Sequence, residues 1–326
     1  MLACLPDTLE QWQAESSQGD TNMPNAVQDH FTFGHSKWGP ADQLGAGNLL
    51  TAEKRLSALG SVKHGRVYDL SHEIHMGAPY MAPNQTPYLM SIWASWKDSI
   101  KRRRAMGMRN DAGTNLERVE MNMHTGTHID ALGHFSSGDF LFNGFCAPEV
   151  VTDWGLTKLG VEQVPPIITR GLVFDVAGLD GGDHLNPGRV VTPDDLARAA
   201  QAAGFTVEPG DVALIRSGWG RYFAVDNAKY LTGEPGIDVP AAKWLIDQGI
   251  AAIGSDNMAV EVLPNPDHGL GLPVHQFSLS KHGVYLIENL ALEELARDRV
   301  STVCFVLLAT KFRGATGAPV RPVGMV

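Results

Sequence analysis

The sequence predicts a mixed α/β fold, and three observations support this prediction. Apolar runs suited to buried strands alternate with capped helices through the second half of the chain. Upstream, apolar and polar residues alternate with the period of two that is typical of a half-buried strand. Hydrophobic residues make up 44% of 326 residues, which suffices for a sizeable core. We predict a single catalytic domain over residues 1–326, with residues 1–37 as an N-terminal arm.

The first half of the chain predicts one helix and two strands. Thr51 is a suitable N-cap for a short helix that ends at Gly60. Residues 67–70 are predicted to form a strand. Residues 76–115 show no clear period, and a segment of that length without regular structure is often a functional loop or lid. The alternating strand covers residues 116–124, with its odd-numbered positions expected in the core.

The second half predicts strands separated by helices. Thr192 can cap a helix that opens with proline and two aspartates and closes at Gly204. A second helix is predicted over residues 240–248, with Gly249 as its C-cap. The predicted strands are short, apolar and bounded by turn residues: 171–176, 211–216, 250–253, 284–288 and 302–308.

Charge and cysteine content exclude several classes of protein. The formal net charge of −10 argues against nucleic acid as a partner, since a polyanion would be repelled. Cys4, Cys146 and Cys304 are far apart and odd in number, so they predict neither a disulfide framework nor a cysteine metal site. Neither a secretory signal nor a membrane-spanning run is visible. We therefore expect a cytoplasmic protein that acts on a small molecule and does not bind a membrane.

A cluster of metal-ligand residue types dominates the chain. His124, His128 and Asp130 lie within seven residues, and His134 follows one helical turn later. Zinc and manganese accept such a mixture of nitrogen and oxygen ligands. If the chain stays extended, the first three side chains share one side of it. A helix beginning near Asp130 would then bring His134 over the site.

A second cluster lies in the C-terminal third and contains His275, His282 and Glu288. Glu288 ends an apolar strand, where a carboxylate is costly to bury unless it is paired, protonated or bound to a cation. A strand-end carboxylate that reaches water explains the same pattern, so the spacing alone leaves both interpretations open.

Residues 124–134 resemble the HxGTHxDxxxH signature of the metal-dependent cyclase family, which includes bacterial kynurenine formamidase and isatin hydrolase. Three further segments are similar to the family's strand motifs and its closing motif: 69–72, 210–219 and 317–321. The resemblance spans roughly residues 38–322 in order.

The resemblance implies a swivelling β/β/α architecture, with a mixed sheet and flanking helices, that assembles as a homodimer or homotetramer. It implies that the primary metal ligands are His124, His128 and Asp130. Asp130, His275 and Glu288 resemble the set that holds a second metal in binuclear members. In mononuclear members His275 and Glu288 line the substrate pocket instead, so we also predict Glu288 to be a catalytic residue.

The implied activity is hydrolysis of an amide, lactam, lactone or ester. A bound Zn²⁺ or Mn²⁺ lowers the pKa of its water from about 15.7 towards about 7, and the resulting hydroxide attacks the carbonyl. His134 resembles the family's catalytic histidine, which acts as general acid and base. Aromatic residues near the motif suit an aromatic or cyclic substrate, although they fit core positions as well: Tyr80, Trp93, Trp96 and Phe135.

Other enzyme classes find little support in the sequence. A serine hydrolase needs a GxSxG elbow, and the nearest stretch, residues 34–38, lacks the second glycine. Residues 45–47 begin like a dinucleotide loop but lack its third glycine. A non-catalytic metal- or ligand-binding protein on the same scaffold remains the alternative, against which an intact His134 argues.

Overall fold

The computed structural model describes residues 35–326, and a nine-stranded mixed sheet organises them. The predicted arm, residues 1–37, therefore lies outside the described residues except for its last three. The strand order in the sheet is β1-β15-β13-β7-β9-β11-β12-β4-β14. The expected mixed α/β class is confirmed.

The strands are short, and two-stranded sheets accompany the large one. The strand bounds are β1 Val67–Asp69, β2 Leu89–Ala94, β3 Leu116–Glu120, β4 His128–Asp130, β5 Val151–Thr152, β6 Gly155–Leu156, β7 Ile167–Asp175, β8 Val190–Val191, β9 Val212–Arg216, β10 Gly236–Ile237, β11 Ala252–Ser255, β12 Tyr285–Glu288, β13 Thr302–Leu307, β14 Gly317–Pro319 and β15 Val323–Met325.

The α-helices flank the large sheet, and a π-helix over Gln276–His282 joins them. The helix bounds are α1 Ala52–Gly60, α2 Trp96–Ala105, α3 Ala147–Val150, α4 Val176–Leu179, α5 Pro193–Ala203, α6 Asn227–Tyr230, α7 Val239–Asp247, α8 Pro273–His275 and α9 Glu293–Arg297. Within residues 35–326, no helix combines the length and the apolar character that crossing a membrane requires.

The centre of the sheet is parallel and buried. β7, β9, β11 and β12 pair in parallel, and every residue of β9 and β11 is buried. A strand covered on both faces reads as a continuous apolar run, which is why these strands could be predicted. β4 and β14 continue the sheet antiparallel beyond β12.

Helix capping in the structure confirms the predicted helices. The Thr51 hydroxyl accepts a hydrogen bond from the backbone N–H of Lys54 at the start of α1. Thr192 and Asp195 form a reciprocal capping box at the start of α5. Gly204 ends that helix with φ 75°, a conformation in which glycine avoids the strain of a side chain.

The prediction for residues 76–115 is wrong in its main feature. β2 and α2 lie within this segment. Among the described residues, β2 pairs with β3 alone, and together they form a hairpin over residues 89–120. We call it the arm hairpin; it is distinct from the N-terminal arm of residues 1–37. All five residues of β3 are exposed, so the expected burial of the odd positions is also wrong. Residues 89–93 of β2 are all exposed, so burial imposes no period of two on this strand that the sequence could display.

Two smaller expectations also fail. The chain turns after Asp130 and forms no helix there. Cys304 is buried and free, but Cys146 is disulfide-bonded, although the spacing of the cysteines predicted no disulfide framework. Distance along the chain does not report how close two thiols come in the fold.

Candidate metal centre

β4 carries two of the predicted ligands, and its position in the sheet brings a third beside them. His128 and Asp130 have the same parity, whereas Ile129 between them is fully buried in the core. β12 runs antiparallel to β4 and pairs Glu288 with His128. Directly paired residues project from the same face of a sheet, so the carboxylate of Glu288 meets both β4 side chains.

The structure brings His124, His128 and Asp130 together, and we call them the first donor group. Their ligand atoms lie within 4.8 Å of one another. His124 Nδ1 is 2.8 Å from Asp130 Oδ1, and His128 Nε2 is 3.5 Å from the same oxygen. His124 precedes β4 in a turn, so the predicted continuous extended strand is not what aligns these residues.

Asp130, His275 and Glu288 form the second donor group, within the same 4.8 Å limit. His275 Nε2 lies 3.0 Å from Glu288 Oε1 and 3.7 Å from Asp130 Oδ2. Glu288 Oε2 lies 3.1 Å from His128 Nε2, so Glu288 links the two groups. Asp130 belongs to both, which makes the five residues one continuous cluster.

The donor atoms fit a divalent cation. His128 Nε2 and Asp130 Oδ2 are buried and make no well-directed hydrogen bond with the described residues, although His128 Nε2 lies 3.1 Å from Glu288 Oε2. An unsatisfied buried polar atom costs about 1–3 kcal/mol, so two of them facing one cluster call for a group that accepts lone pairs. Imidazole and carboxylate donors suit zinc and manganese.

Charge pairing dominates the electrostatics of the buried cluster. Burial opposes protonation of His128, but Glu288 and Asp130 outweigh it and raise its pKa to about 10. His275 likewise has its pKa raised to about 10, against burial, by Glu261 and Glu288. The surrounding histidines lower the pKa of Asp130 despite its burial. The buried carboxylates therefore favour positive charge at this site.

A turn after β4 places the ring of His134 over the first donor group. Its backbone N–H donates to the carbonyl of Ala131. Its ring stacks on His124 with the centroids 4.0 Å apart, and the ring of His275 lies 6.2 Å away. Burial lowers the pKa of His134 to about 3, so the ring is neutral at neutral pH. It belongs to neither donor group.

The structure adds three residues that the sequence did not reveal. Glu261 accepts a hydrogen bond of 2.6 Å from His275 Nδ1. The Thr316 hydroxyl lies 2.9 Å from His124 Nε2. The Asn289 amide donates to the carbonyl of Gly126. Glu261 stands between two valines, the pattern of a carboxylate in a core segment that had singled out Glu288, and this signal could have found it.

His282, by contrast, lies in neither donor group, although spacing had grouped it with His275 and Glu288. Its ring tilts against Phe277, 4.4 Å between centroids. It ends the π-helix that follows His275, and that helix carries it away from the cluster. Glu288 and His275 do meet the first donor group, as the resemblance implied.

Comparison with known proteins agrees with this geometry. The family model described as "Putative cyclase" matches residues 68–262. Cyclase-like protein 3 of Arabidopsis thaliana is 24% identical over 259 residues, covering 78% of each chain. Kynurenine formamidase of Bacillus cereus is 24% identical over 244 residues, covering 74% of this chain and 88% of that protein.

Solved structures share the fold. A crystal structure described as a novel cyclase has a TM-score of 0.81 at 29% identity and covers 89% of this chain and 98% of its own. Isatin hydrolase A of Ralstonia solanacearum has a TM-score of 0.61 at 19% identity, with 85% and 97% covered, a likeness of fold alone. Since the family model matches more than half of its length, the chain belongs to the cyclase family.

Proposed function

We propose that this protein is a metal-dependent hydrolase that cleaves an amide-type or related carbonyl bond of a small molecule. One observation carries the proposal: two donor groups share Asp130, and two of their buried donor atoms make no well-directed hydrogen bond with the described residues. Relatives named for hydrolysis of a formamide and of isatin support the same class of reaction.

The five cluster residues would hold the metal, and His134 would transfer the proton. A divalent ion bound there supplies Lewis acidity, which lowers the pKa of water and polarises a carbonyl. The ring of His134 is neutral at neutral pH, and no described residue hydrogen-bonds to its nitrogens, so one of them is open to a water or a leaving group. Water oxygen bonds to the carbonyl carbon, and the bond to the leaving nitrogen or oxygen breaks.

Proton movement in this scheme depends on where His134 stands. The ring would take the proton from water and pass it to the leaving atom, which restores the neutral ring. Stacking on His124 fixes the ring plane, and Phe135 packs edge-on against His134 with centroids 5.2 Å apart. Phe135 also contacts the ring of His275 at 4.8 Å, so it forms an apolar wall between the cluster and water.

The proposal is tested by metal removal and restoration. Protein stripped with a chelator should lose hydrolysis of a panel of N-formyl anilines, cyclic amides and lactones, and Zn²⁺ or Mn²⁺ should restore it. Asp130→Asn, which weakens both donor groups, should resist restoration. Hydrolysis that survives chelation would overturn the metal-dependent mechanism. Metal binding with no turnover of the whole panel would favour a non-catalytic binding protein.

We further propose that the arm hairpin mediates self-association. Its exposed side chains include many large apolar ones: Leu89, Met90, Ile92, Trp93, Trp96, Met106, Met108, Leu116 and Val119. A two-stranded sheet is marginal in water unless another surface covers it. The hairpin carries seven basic and four acidic side chains in a chain of net charge −10, so a second copy offers complementary charge.

Light scattering on the purified protein tests this assembly. The wild type should be a dimer or tetramer, and Trp93→Glu should dissociate it. Trp93 is 73% exposed; Trp154, at 94% exposed and outside the hairpin, gives the matched control Trp154→Glu. A monomeric wild type, or equal effects of the two variants, would contradict the proposal.

A further inference from the structure

Glu261 is a fully buried carboxylate whose hydrogen bonds converge on one predicted ligand. It is 0% exposed. Its Oε1 accepts from the Nδ1 of His275 at 2.6 Å and from the backbone N–H of His275 at 3.0 Å. Its Oε2 accepts from the backbone N–H of Val274 at 3.1 Å. Three donors from two adjacent residues therefore fix both the α8 segment and the imidazole ring.

The contact at Nδ1 decides which ring nitrogen of His275 is left for a ligand. Both oxygens of Glu261 already accept backbone N–H groups, so the carboxylate acts as the acceptor towards Nδ1 as well, and Nδ1 carries the proton. The opposite nitrogen, Nε2, is the one that faces Glu288 Oε1 and Asp130 Oδ2. With Nδ1 protonated, the lone pair for a metal lies on Nε2, on the side of the other two donors.

We propose that Glu261 is a positioning residue that holds the ring of His275 so that Nε2 can bind a divalent cation at the second donor group. This inference rests on the proposed function, because it assumes that a metal binds the cluster. A carboxylate hydrogen-bonded to a metal-binding histidine fixes the ring orientation and raises the basicity of the ligand nitrogen. If the cluster held a single metal ion, His275 would need only some hydrogen-bond acceptor at Nδ1. Burying a carboxylate there would then cost free energy with no cation to offset it.

Glu234 offers a matched control for Glu261. It is also 0% exposed, and its two oxygens accept backbone N–H groups from Met258 and Ala259, each at 2.8 Å. It is in neither donor group and contacts none of their side chains through a hydrogen bond. Both changes replace a buried glutamate with glutamine, but only the change at 261 removes a hydrogen bond to a ligand side chain.

Cobalt titration of the two variants tests the proposal. Visible absorption and calorimetry should resolve two equivalents of Co²⁺ in the wild type. His275→Ala should identify the equivalent that belongs to the second donor group. Glu261→Gln should weaken that same equivalent by about 10–100-fold and leave the other unchanged. Glu234→Gln should bind both equivalents as the wild type does.

Each alternative outcome is informative. Equal binding by Glu261→Gln and the wild type would overturn the positioning role. A wild type that binds one equivalent and still hydrolyses its substrate would overturn this inference but leave the proposed function standing.

If Glu261→Gln does not fold, long-range ¹H–¹⁵N spectra of the zinc-loaded wild type test the proposal instead. These spectra report which ring nitrogen carries the proton. They should show His275 protonated at Nδ1, and protonation at Nε2 would overturn the proposal.

Discussion

The two donor groups share Asp130 but are built in different ways. The first comes from one stretch of seven residues around β4, and its members are neighbours before the chain folds. The second needs β4, α8 and β12, which the sheet brings together. Local sequence therefore dictates the first group, whereas topology dictates the second.

The anchors of the two groups differ as well. His128 Nδ1 donates to the backbone carbonyl of Gly126 at 2.8 Å, so its orientation is set by the fold of its own loop. His275 Nδ1 donates to the carboxylate of Glu261 at 2.6 Å. A charged acceptor makes the stronger hydrogen bond and the more basic ligand. The orientation of a ligand ring can thus be fixed as firmly by a side chain distant in sequence as by the backbone of its own loop.

The largest effect should come from His128→Ala. This substitution removes a ligand of the first donor group and leaves Glu288 without its partner at 3.1 Å. Turnover should fall by more than the roughly 10⁴-fold attributed to the best proton-transfer groups. Elemental analysis should find one equivalent of metal missing. Full occupancy would contradict the ligand role; the exposed His64→Ala should retain both metal and activity.

A smaller loss, without loss of metal, should follow from His134→Ala. His134 stacks on the first donor group but belongs to neither group. Removing a positioned proton carrier typically costs about 10²–10⁴-fold in rate. Steady-state kinetics alongside metal analysis would check this separation. A variant that loses metal in step with activity would instead place His134 among the ligands.

A third substitution, Gly317→Ala in the backbone beside the first donor group, should lower turnover by disturbing that group. A Cβ on Gly317 in β14 would lie 2.7 Å from His124 Cε1 and 2.8 Å from the carbonyl oxygen of Ile129, so Gly317→Ala must shift that ring and the β4 backbone beside it. A displacement near 1 Å can cost about 10²-fold in turnover. The second equivalent of metal should stay bound. Gly271→Ala, where a Cβ meets nothing within 4 Å, is the control; equal kinetics for both variants would refute the close contact.

The smallest effect concerns stability near the first group. His72, whose backbone N–H donates to the Thr127 hydroxyl, has its pKa lowered by burial from 6.5 to about 4. Because the unfolded chain binds this proton more readily, stability should be complete above pH 6.5 and decline towards pH 4, by up to about 3 kcal/mol.

Urea unfolding of metal-free protein at several pH values measures that decline. His72→Phe keeps the stacking on Phe223, where the ring centroids are 4.3 Å apart, and should flatten the slope. An unchanged slope would show that acid acts through other groups, among them the metal ligands.

Much of the fold and half of the site could be predicted from the sequence. The buried strands β9 and β11 and the capping box at Thr192 leave local patterns that hold in the structure. The arm hairpin was predicted only in part: a strand was expected over residues 116–124, but β2 and its pairing with β3 were not, because residues 89–93 are all exposed. Glu261 could not be assigned a role because its contacts join residues 13 to 14 positions apart through the fold rather than through a motif.

Anomalous diffraction from crystals grown with Zn²⁺ would test the metal centre most directly. Data recorded on both sides of the zinc edge should place one ion in contact with His124, His128 and Asp130, and a second that shares Asp130 with His275 and Glu288. Well-ordered crystals of active protein, with those side chains in place and zinc peaks only elsewhere, would contradict the metal centre and the hydrolysis assigned to it.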